Sequence, residues 1–515
     1  MTPEDFPKAY EPQRVQDRIY QEWLEKGYWH ANPRSNKPPF SIVMPPPNIT
    51  GVLTLGHVLN NTLQDILCRR ARMQGYEVLW LPGTDHAGLA TQTAVEKNIK
   101  KTEGKTRFDF SREAFLEKVW EWQKKHGNII IEQLKKLGCS CDWQRQRFTL
   151  DEAYTRAVQR VFITLYERGY IYRGLRMVNW CPASLTAISD EEVIPKAQKS
   201  TLYYIDYILE DDRDKLTVAT TRPETIMADV AVAVHPHDER YKKYIGRNVR
   251  RPLAPALIPI IPDPAIDPKF GTGVLKVTPA HDKLDFEIGQ RHNLPIIDIL
   301  TPDGKVSCPQ EPELDGLDRF IARKRAAEIL QSRSLLSKEE PYENNVGFSE
   351  RADVPIEPRL SWQWFLDYKK MANNKMIELA LQVVRQRLIE FVPSHWEKVY
   401  AHWLENIQDW CISRQVWWGH RIPVWYAPEA PDPSHHEVPK HLIRCQIESP
   451  GEGWKQDPNT LDTWFSSWLW AFETMDEETR QKFYPTSVLV TGPDIIFLWV
   501  ARMIIAGLEF KPGKV

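Results

Sequence analysis

At 515 residues, 42% of them hydrophobic and 26% charged, the chain is long enough for two or three domains, each with its own core. A net charge of −2 excludes a global basic field for nucleic acid and leaves room only for a local one. Seven scattered cysteines exclude a disulfide scaffold, no run approaches the ~18 apolar residues of a membrane span, and Met1-Thr2-Pro3-Glu4-Asp5 is no secretory leader, so a reducing cytoplasm is expected.

The first predicted element is a packing helix in which Val15, Ile19, Tyr20 and Trp23 share one face. Residues 40–44 form an apolar run that reads as a buried strand. Three prolines then stop regular structure, and Asn48 and Gly51 supply the turn residues of a loop. From Gly56 onward Val58, Leu59, Leu63, Ile66 and Leu67 fall at helical spacing; Gly75 closes the helix, and 77–81 reads as the next strand. This strand–loop–helix–strand order puts Gly56 and His57 at a helix N-terminus, where unpaired N–H groups and the helix dipole favour a phosphate.

Asp85 follows the second strand, at the carboxyl end of a parallel sheet, where open α/β folds bind ligands. It can pair with a substrate ammonium or cap the helix that follows. Residues 113–138 and 151–171 read as amphipathic helices, separated by Cys139 and Cys141, which read as packed thiols for want of a second metal-ligand pair. Near residue 196 the texture changes to short β-rich runs with many prolines, at 201–209, 216–221, 230–234, 257–261 and 273–277. This is the pattern of a compact, largely β domain inserted into the chain. Within it, Thr220-Thr221-Arg222-Pro223-Glu224-Thr225 reads as a polar turn and Asp282 as a helix N-cap. From about 346 the α/β character returns. Trp464 lies in an apolar stretch that suits plain core, and 490–499 ends a strand and starts a helix. There Gly492 allows close backbone approach, and Asp494 either takes both hydroxyls of a ribose or caps the helix.

Pro45-Pro46-Pro47-Asn48-Ile49-Thr50-Gly51 followed by Leu55-Gly56-His57 resembles the HIGH-type signature of the class I aminoacyl-tRNA synthetases. Gly83-Thr84-Asp85-His86-Ala87-Gly88, with Ala90-Thr91-Gln92 close behind, resembles the valine-specific branch of that family. The departure is Thr54, which stands where the signature has its first histidine; its hydroxyl can bond a phosphate oxygen but carries no charge. The resemblance covers essentially all 515 residues. It implies a doubly wound parallel-sheet (Rossmann-type) α/β catalytic domain, in halves 1–195 and 346–515, split by an inserted, largely β editing domain at 196–345.

Carried over residue by residue, the resemblance implies that Thr54, Gly56 and His57 serve catalysis at the ATP phosphates, with Asn48, Gly51, Gly492 and Asp494 completing the ATP site. Asp85 would hold the α-amino group of valine in a pocket walled by Pro45, Pro46, Trp464, Ile495 and Trp499. In the insert, Lys276, Thr278, Asp282 and Asp285 would form a pocket for misattached threonine, while Thr220, Thr221 and Arg222 hold the tRNA 3′ end and the aminoacyl ester. No Ser–His–Asp constellation is visible, so a positioned water is expected to hydrolyse that ester.

The reaction so implied is ATP-dependent activation of L-valine and its attachment to tRNA(Val), with hydrolytic editing of mischarged Thr-tRNA(Val). An insert of this kind answers a physical need. Threonine is nearly isosteric with valine, and an apolar pocket rejects an added hydroxyl only weakly, valine-specific enzymes being the standing example. A second site that hydrogen-bonds the hydroxyl disfavours valine, which would leave buried polar groups unpaired at ~1–3 kcal/mol each. ATP is expected with Mg2+ as substrate, and the enzyme as a monomer. No metal site is expected: where the family's zinc knuckle would place a second cysteine after Cys181 stands Ser184, and Cys411 also lacks a partner pair. The family's KMSKS loop and a helical anticodon-binding domain are expected after residue 515, which makes the chain an N-terminal fragment. The alternatives are an editing-only deacylase and a non-catalytic binding protein derived from a synthetase.

Overall fold

The computed structural model describes residues 9–373 and 375–515; the N-terminal reading of Met1 to Asp5 therefore lies outside the described residues. The chain divides into two compact units, the first comprising residues up to Tyr172 with Trp364–Pro431 and Val438–Val515, the second comprising Arg173–Gln363 with Asp432–Glu437. The expected insert, 196–345, lies inside the second unit, which is wider because the strand Val193–Ile208 pairs antiparallel with Leu336–Ser349 from Ile205↔Leu336 out to Val193↔Ser349. Among the described residues no helix is long and apolar enough to cross a membrane.

The first unit is a parallel α/β fold. It begins with α1 (Gln16–Glu25), β1 (Pro39–Val43), α2 (Leu55–Met73), β2 (Glu77–Leu81) and β3 (Gly83–Thr84). These are followed by α3 (Gly88–Glu103), α4 (Arg112–Lys136), β4 (Arg147–Phe148) and α5 (Glu152–Glu167). β1 and β2 pair in parallel with Ile42 opposite Trp80, and Ile42 also bridges in parallel to Val488, so β1 lies centrally. β3 and β4 pair in parallel as well. α4 and α5 start where Ser111 and Asp151 accept hydrogen bonds from Ala114 N and Tyr154 N, and α3 stops at the left-handed Gly104.

One expectation is corrected here. α2 forms where its periodicity predicted, but it buries the opposite face: Asn61, Gln64, Cys68 and Ala71 face inward, while Leu55 is 86% and Leu59 64% exposed, with Leu63 and Ile66 also exposed. The inward face carries polar groups that are hydrogen-bonded, two of them to other elements. Trp80 Nε1 donates to Gln64 Oε1 at 3.0 Å, Asn61 Nδ2 to His57 O at 2.8 Å, and the Ser140 hydroxyl to Asp65 Oδ1 at 2.6 Å.

The second unit is largely β. Its three-stranded sheet has Val193–Ile208 between Leu336–Ser349 and Lys215–Thr220. Its four-stranded sheet runs Asn248–Arg250, Leu257–Pro262, Ala231–Val234, Val274–Val277. Ala231, Val232, Ala233 and Val234 are buried on both faces, as a central strand with a core on each side requires. The helices Lys283–Arg291 and Arg319–Ser332 belong to this unit.

Candidate functional site

Two constellations of the predicted residues stand out, one in each unit. In the first, the loop after β1 is tied to the segment after β3: Asp85 N donates to Pro47 O at 2.9 Å and Ile49 N to Asp85 O at 3.2 Å. Ile49 is buried, and its carbonyl accepts from Trp122 Nε1 at 3.0 Å; Pro45 and Pro46 are half-buried, Gly51 intermediate and Asn48 exposed. Thr54, in extended conformation, is the N-cap of α2. Its backbone N–H donates to His57 Nδ1 at 3.1 Å, and its hydroxyl lies 2.8 Å from the same nitrogen. An Nδ1 that accepts a backbone N–H leaves the proton on Nε2. Burial also lowers the His57 pKa. The imidazole is therefore neutral, with Nε2–H directed away from its own helix cap. A Cβ on Gly56 would meet only Thr54 Oγ1, at 3.7 Å, so packing within the chain does not demand glycine there.

Asp85 is 5% exposed. Its Oδ1 accepts from Ala87 N at 2.9 Å and from the Thr149 hydroxyl at 3.2 Å, and His86 Nδ1 lies 3.1 Å away; its Oδ2 accepts from the Ser467 hydroxyl at 3.0 Å. Burial opposes ionisation, but the bonds from His86, Ala87 and Ser467 outweigh it and hold the carboxyl below the usual range. The helix-cap alternative for Asp85 is not what is seen: α3 has Ala87, left-handed at φ +47°, as its N-cap, without a side-chain cap bond. Ser467 ends the helix Thr463–Ser467, which carries the half-buried Trp464 and is capped by Asp462; its carbonyl accepts from Trp499 Nε1 at 2.8 Å. Thus Asp85, the Trp464 helix and Trp499 form one bonded assembly.

Asn60 Nδ2 on α2 donates to Val490 O at 2.9 Å, which joins that helix to the segment leading to Gly492. There a Cβ on Gly492 would meet only the carboxylate end of the exposed Asp494 side chain, so a larger residue would displace that carboxylate rather than the backbone. Asp494 is exposed, and the short helical turn it enters is capped by Gly492 without a side-chain bond, which again removes the helix-cap alternative. Ile495 is half-buried against the core of the unit. Thr149 and Ser467 have no role in the sequence reading, and His86 lies inside the Gly83–Gly88 motif without a role of its own.

The second constellation is a closed polar network. Lys276, 7% exposed, donates to Thr278 Oγ1 at 2.6 Å, Thr225 Oγ1 at 2.8 Å and Asp229 Oδ1 at 3.2 Å. An ammonium has three protons, and three partners within the protein take them. Asp229 also accepts from the Thr278 hydroxyl at 2.7 Å and from Tyr207 OH at 2.5 Å, and burial raises its pKa. Sequence reading missed both Asp229 and Tyr207. Thr278 N donates to Asp285 Oδ2 at 2.8 Å. Asp282 caps the helix Lys283–Arg291 through Oδ1, as one of its two readings required. Burial, then the neighbouring Asp282, pushes the Asp285 carboxyl up to about 7.

Arg222 is braced by Glu224 at 3.3 Å, Glu357 at 2.7 Å and His281 O at 3.3 Å, and those carboxylates also pair with Arg323 and Arg319. Thr220 Oγ1 accepts from Arg222 N at 3.0 Å, and Thr221 is half-buried. Cys181 and Ser184 are buried and Cys411 half-buried.

The family model for class I tRNA synthetases (I, L, M and V) matches residues 18–514. The valine--tRNA ligase of Carboxydothermus hydrogenoformans is 52% identical over 511 residues, covering 98% of this chain and 57% of that protein. The valine--tRNA ligase of Thermotoga maritima is 50% identical over 514 residues, covering 99% of this chain and 58% of that protein. The chain thus spans about half the length of the curated relatives it matches. Among solved structures, the LeuRS of Agrobacterium radiobacter K84, in a ternary complex with tRNA and LeuAMS, is 18% identical with a TM-score of 0.49, covering 98% of this chain and 66% of that one.

Proposed function

We propose a function from one premise: this chain belongs to the class I tRNA synthetases of the I, L, M and V group. The proposed activity is that of a valine--tRNA ligase. A carboxylate oxygen of L-valine attacks the α-phosphorus of ATP, the bond from that phosphorus to the bridging oxygen breaks, and pyrophosphate leaves valyl-adenylate behind. A terminal ribose hydroxyl of tRNA(Val) then attacks the acyl carbon, gives up its proton, and releases AMP.

The observation that carries this reading is the Asp85 assembly, a buried ionised carboxylate bonded to the helix that bears Trp464 and, through Ser467, to Trp499. A carboxylate in such a place suits an ammonium beside apolar walls. Pro45, Pro46 and Ile495 are the other walls proposed, Asp494 the group for the ribose hydroxyls, and Asn48 and Gly51 loop contacts to ATP. The neutral His57 would donate Nε2–H to a phosphate oxygen as charge moves to pyrophosphate, with Gly56 leaving the backbone open to close approach. The carboxylate of valine is already a nucleophile, so rate comes from positioning and charge stabilisation rather than from a base. ATP enters as its Mg2+ complex. The proposed setting is the cytoplasm, with the chain monomeric.

The second unit is proposed to hydrolyse Thr-tRNA(Val): water attacks the ester carbonyl, and threonine and the tRNA hydroxyl are released. Because the protons of Lys276 are taken by Thr225, Thr278 and Asp229, the carboxylates of Asp282 and Asp285 are the groups proposed to meet the substrate. Two assays on the purified chain test the whole. Valine-dependent ATP–pyrophosphate exchange together with Thr-tRNA deacylation is expected. Deacylation alone would reduce the function to editing, and failure of both would leave only a binding protein.

A further inference from the structure

The ammonium-binding reading of Asp85 leaves open what aims its carboxylate, and an unassigned residue sits at that point. Thr149 is fully buried and directly follows β4. The pairing of β4 with β3 continues into it, with Thr149 N donating to Thr84 O at 3.2 Å. That register sets its hydroxyl against the Asp85–His86 pair. Thr149 Oγ1 accepts from His86 N at 2.8 Å, lies 2.7 Å from His86 Nδ1, and donates to Asp85 Oδ1 at 3.2 Å. The His86 imidazole is itself fixed, because it is buried and meets the His420 ring edge-on at 5.0 Å, while Trp418 Nε1 holds its carbonyl at 2.8 Å.

The hydrogen-bond inventory gives this cluster a direction. With Ala87 N–H and the Thr149 hydroxyl both aimed at Oδ1, and His86 Nδ1 3.1 Å from the same oxygen, the lone pairs of Oδ1 are in use. Oδ2 takes the Ser467 hydroxyl and retains acceptor capacity. One oxygen position of the carboxylate is therefore filled by contacts within the chain while the other keeps room for a further donor, and together these contacts fix the carboxylate plane.

We propose that Thr149 is a positioning residue for amino-acid recognition: its hydroxyl, seated on His86, locks Oδ1 of Asp85 so that Oδ2 meets the α-ammonium of valine. This rests on the valine-activating reading of the site. The positioning comes from the three-way contact of Thr149, His86 and Asp85.

Calorimetric binding tests it without requiring turnover. The probes are L-valine and isovalerate, the same carbon skeleton without the amino group, measured on the wild type, Thr149→Val and Thr149→Ser. Thr149→Val keeps shape and volume and is expected to weaken valine about tenfold, the worth of one aligned hydrogen bond to a charged group. It should leave isovalerate within twofold, and Thr149→Ser should restore valine binding to within about threefold. A damaged core would weaken both ligands together and would not be rescued by serine, so that outcome overturns the positioning role, as does unchanged valine affinity in Thr149→Val. A wild-type chain that binds ATP but not valine overturns the underlying reading of Asp85 instead.

Discussion

Two buried aspartates, one in each unit, are held in opposite ways. Asp85 is surrounded by donors, from Ala87 N, the Thr149 and Ser467 hydroxyls and His86, and its carboxyl is brought below the ordinary range. Asp285 receives Thr278 N at 2.8 Å but lies in a buried place beside Asp282, and its carboxyl is pushed up to about 7. On the proposed ammonium-binding reading, the Asp85 charge in the first unit serves a ligand. The second, through Lys276, Asp229, Thr225, Thr278 and Tyr207, pairs its charges with one another. It follows that stability and function should come apart under mutation in the first unit and stay coupled in the second.

The largest effect expected is Lys276→Met. It leaves Asp229 buried with its cation gone, and breaking a buried pair from one side costs about 3–5 kcal/mol. Denaturant unfolding followed by a probe in the second unit should show a loss of that order, with Thr-tRNA deacylation lost in parallel. Full stability without deacylation would mean that Lys276 faces substrate, and the contrast between the units would fail. Next in size is His57→Ala. Losing one preorganised donor at a developing charge costs about 10²–10³ in rate. Valine-dependent pyrophosphate exchange should fall by that factor while the melting temperature of the first unit stays close to wild type, since His57 is half-buried and bonded only to its own cap.

The aspartates also predict opposite slopes against pH. Asp285 has a folded pKa above its unfolded value of 3.8, so its contribution is fully present below that value and is lost as pH rises through about 7. Asp85 has a folded pKa below 3.8, so its contribution is present above that value and is lost as pH falls through the folded pKa. Melting of the second unit between pH 4 and 8 should therefore show a downward trend that Asp285→Asn flattens. In Asp85→Asn only the acid limb for the first unit should change. A downward trend that persists undiminished in Asp285→Asn would assign it to another group.

What the sequence made legible was local. The prolines after β1, the helix following Gly56 and the β-rich change of texture were visible because Pro and Gly interrupt the backbone and apolar spacing sets helix or strand. The motif residues themselves were visible through the resemblance. Thr149, Ser467, Asp229 and Tyr207 were not, because their roles come from contacts across long stretches of chain, such as the separation of 382 positions from Asp85 to Ser467. Nothing in a threonine's neighbours announces such a partner. The inward face of α2 was misjudged for a related reason: apolar spacing favours Leu59, Leu63 and Ile66, but the indole of Trp80 needed an acceptor and found Gln64. An unpaired buried indole N–H costs about 1–3 kcal/mol, comparable with the burial of one leucine, so this bond accounts for the inward turn of Gln64 and not for the exposure of Leu55, Leu59, Leu63 and Ile66.

The smallest effect expected is at Thr54, where this chain departs from the histidine of the signature. Two contacts link Thr54 to His57 Nδ1, the backbone N–H at 3.1 Å and the hydroxyl at 2.8 Å. Thr54→Val removes the second and keeps the first, so Nδ1 still accepts and Nε2 still carries the proton. Loss of a capping hydroxyl costs about 1 kcal/mol of helix stability, and pyrophosphate exchange should fall only severalfold. Thr54→Pro removes the backbone N–H itself and frees the tautomer. If positioning of His57 rests on that N–H, exchange in Thr54→Pro should drop well below that of Thr54→Val, toward the His57→Ala level, and a nitrogen NMR spectrum of His57 should show mixed tautomers in the proline variant alone. Equal losses in the two variants would shift the weight from the backbone to the hydroxyl, and Thr54 would then be a phosphate ligand in its own right rather than the clamp on its neighbour.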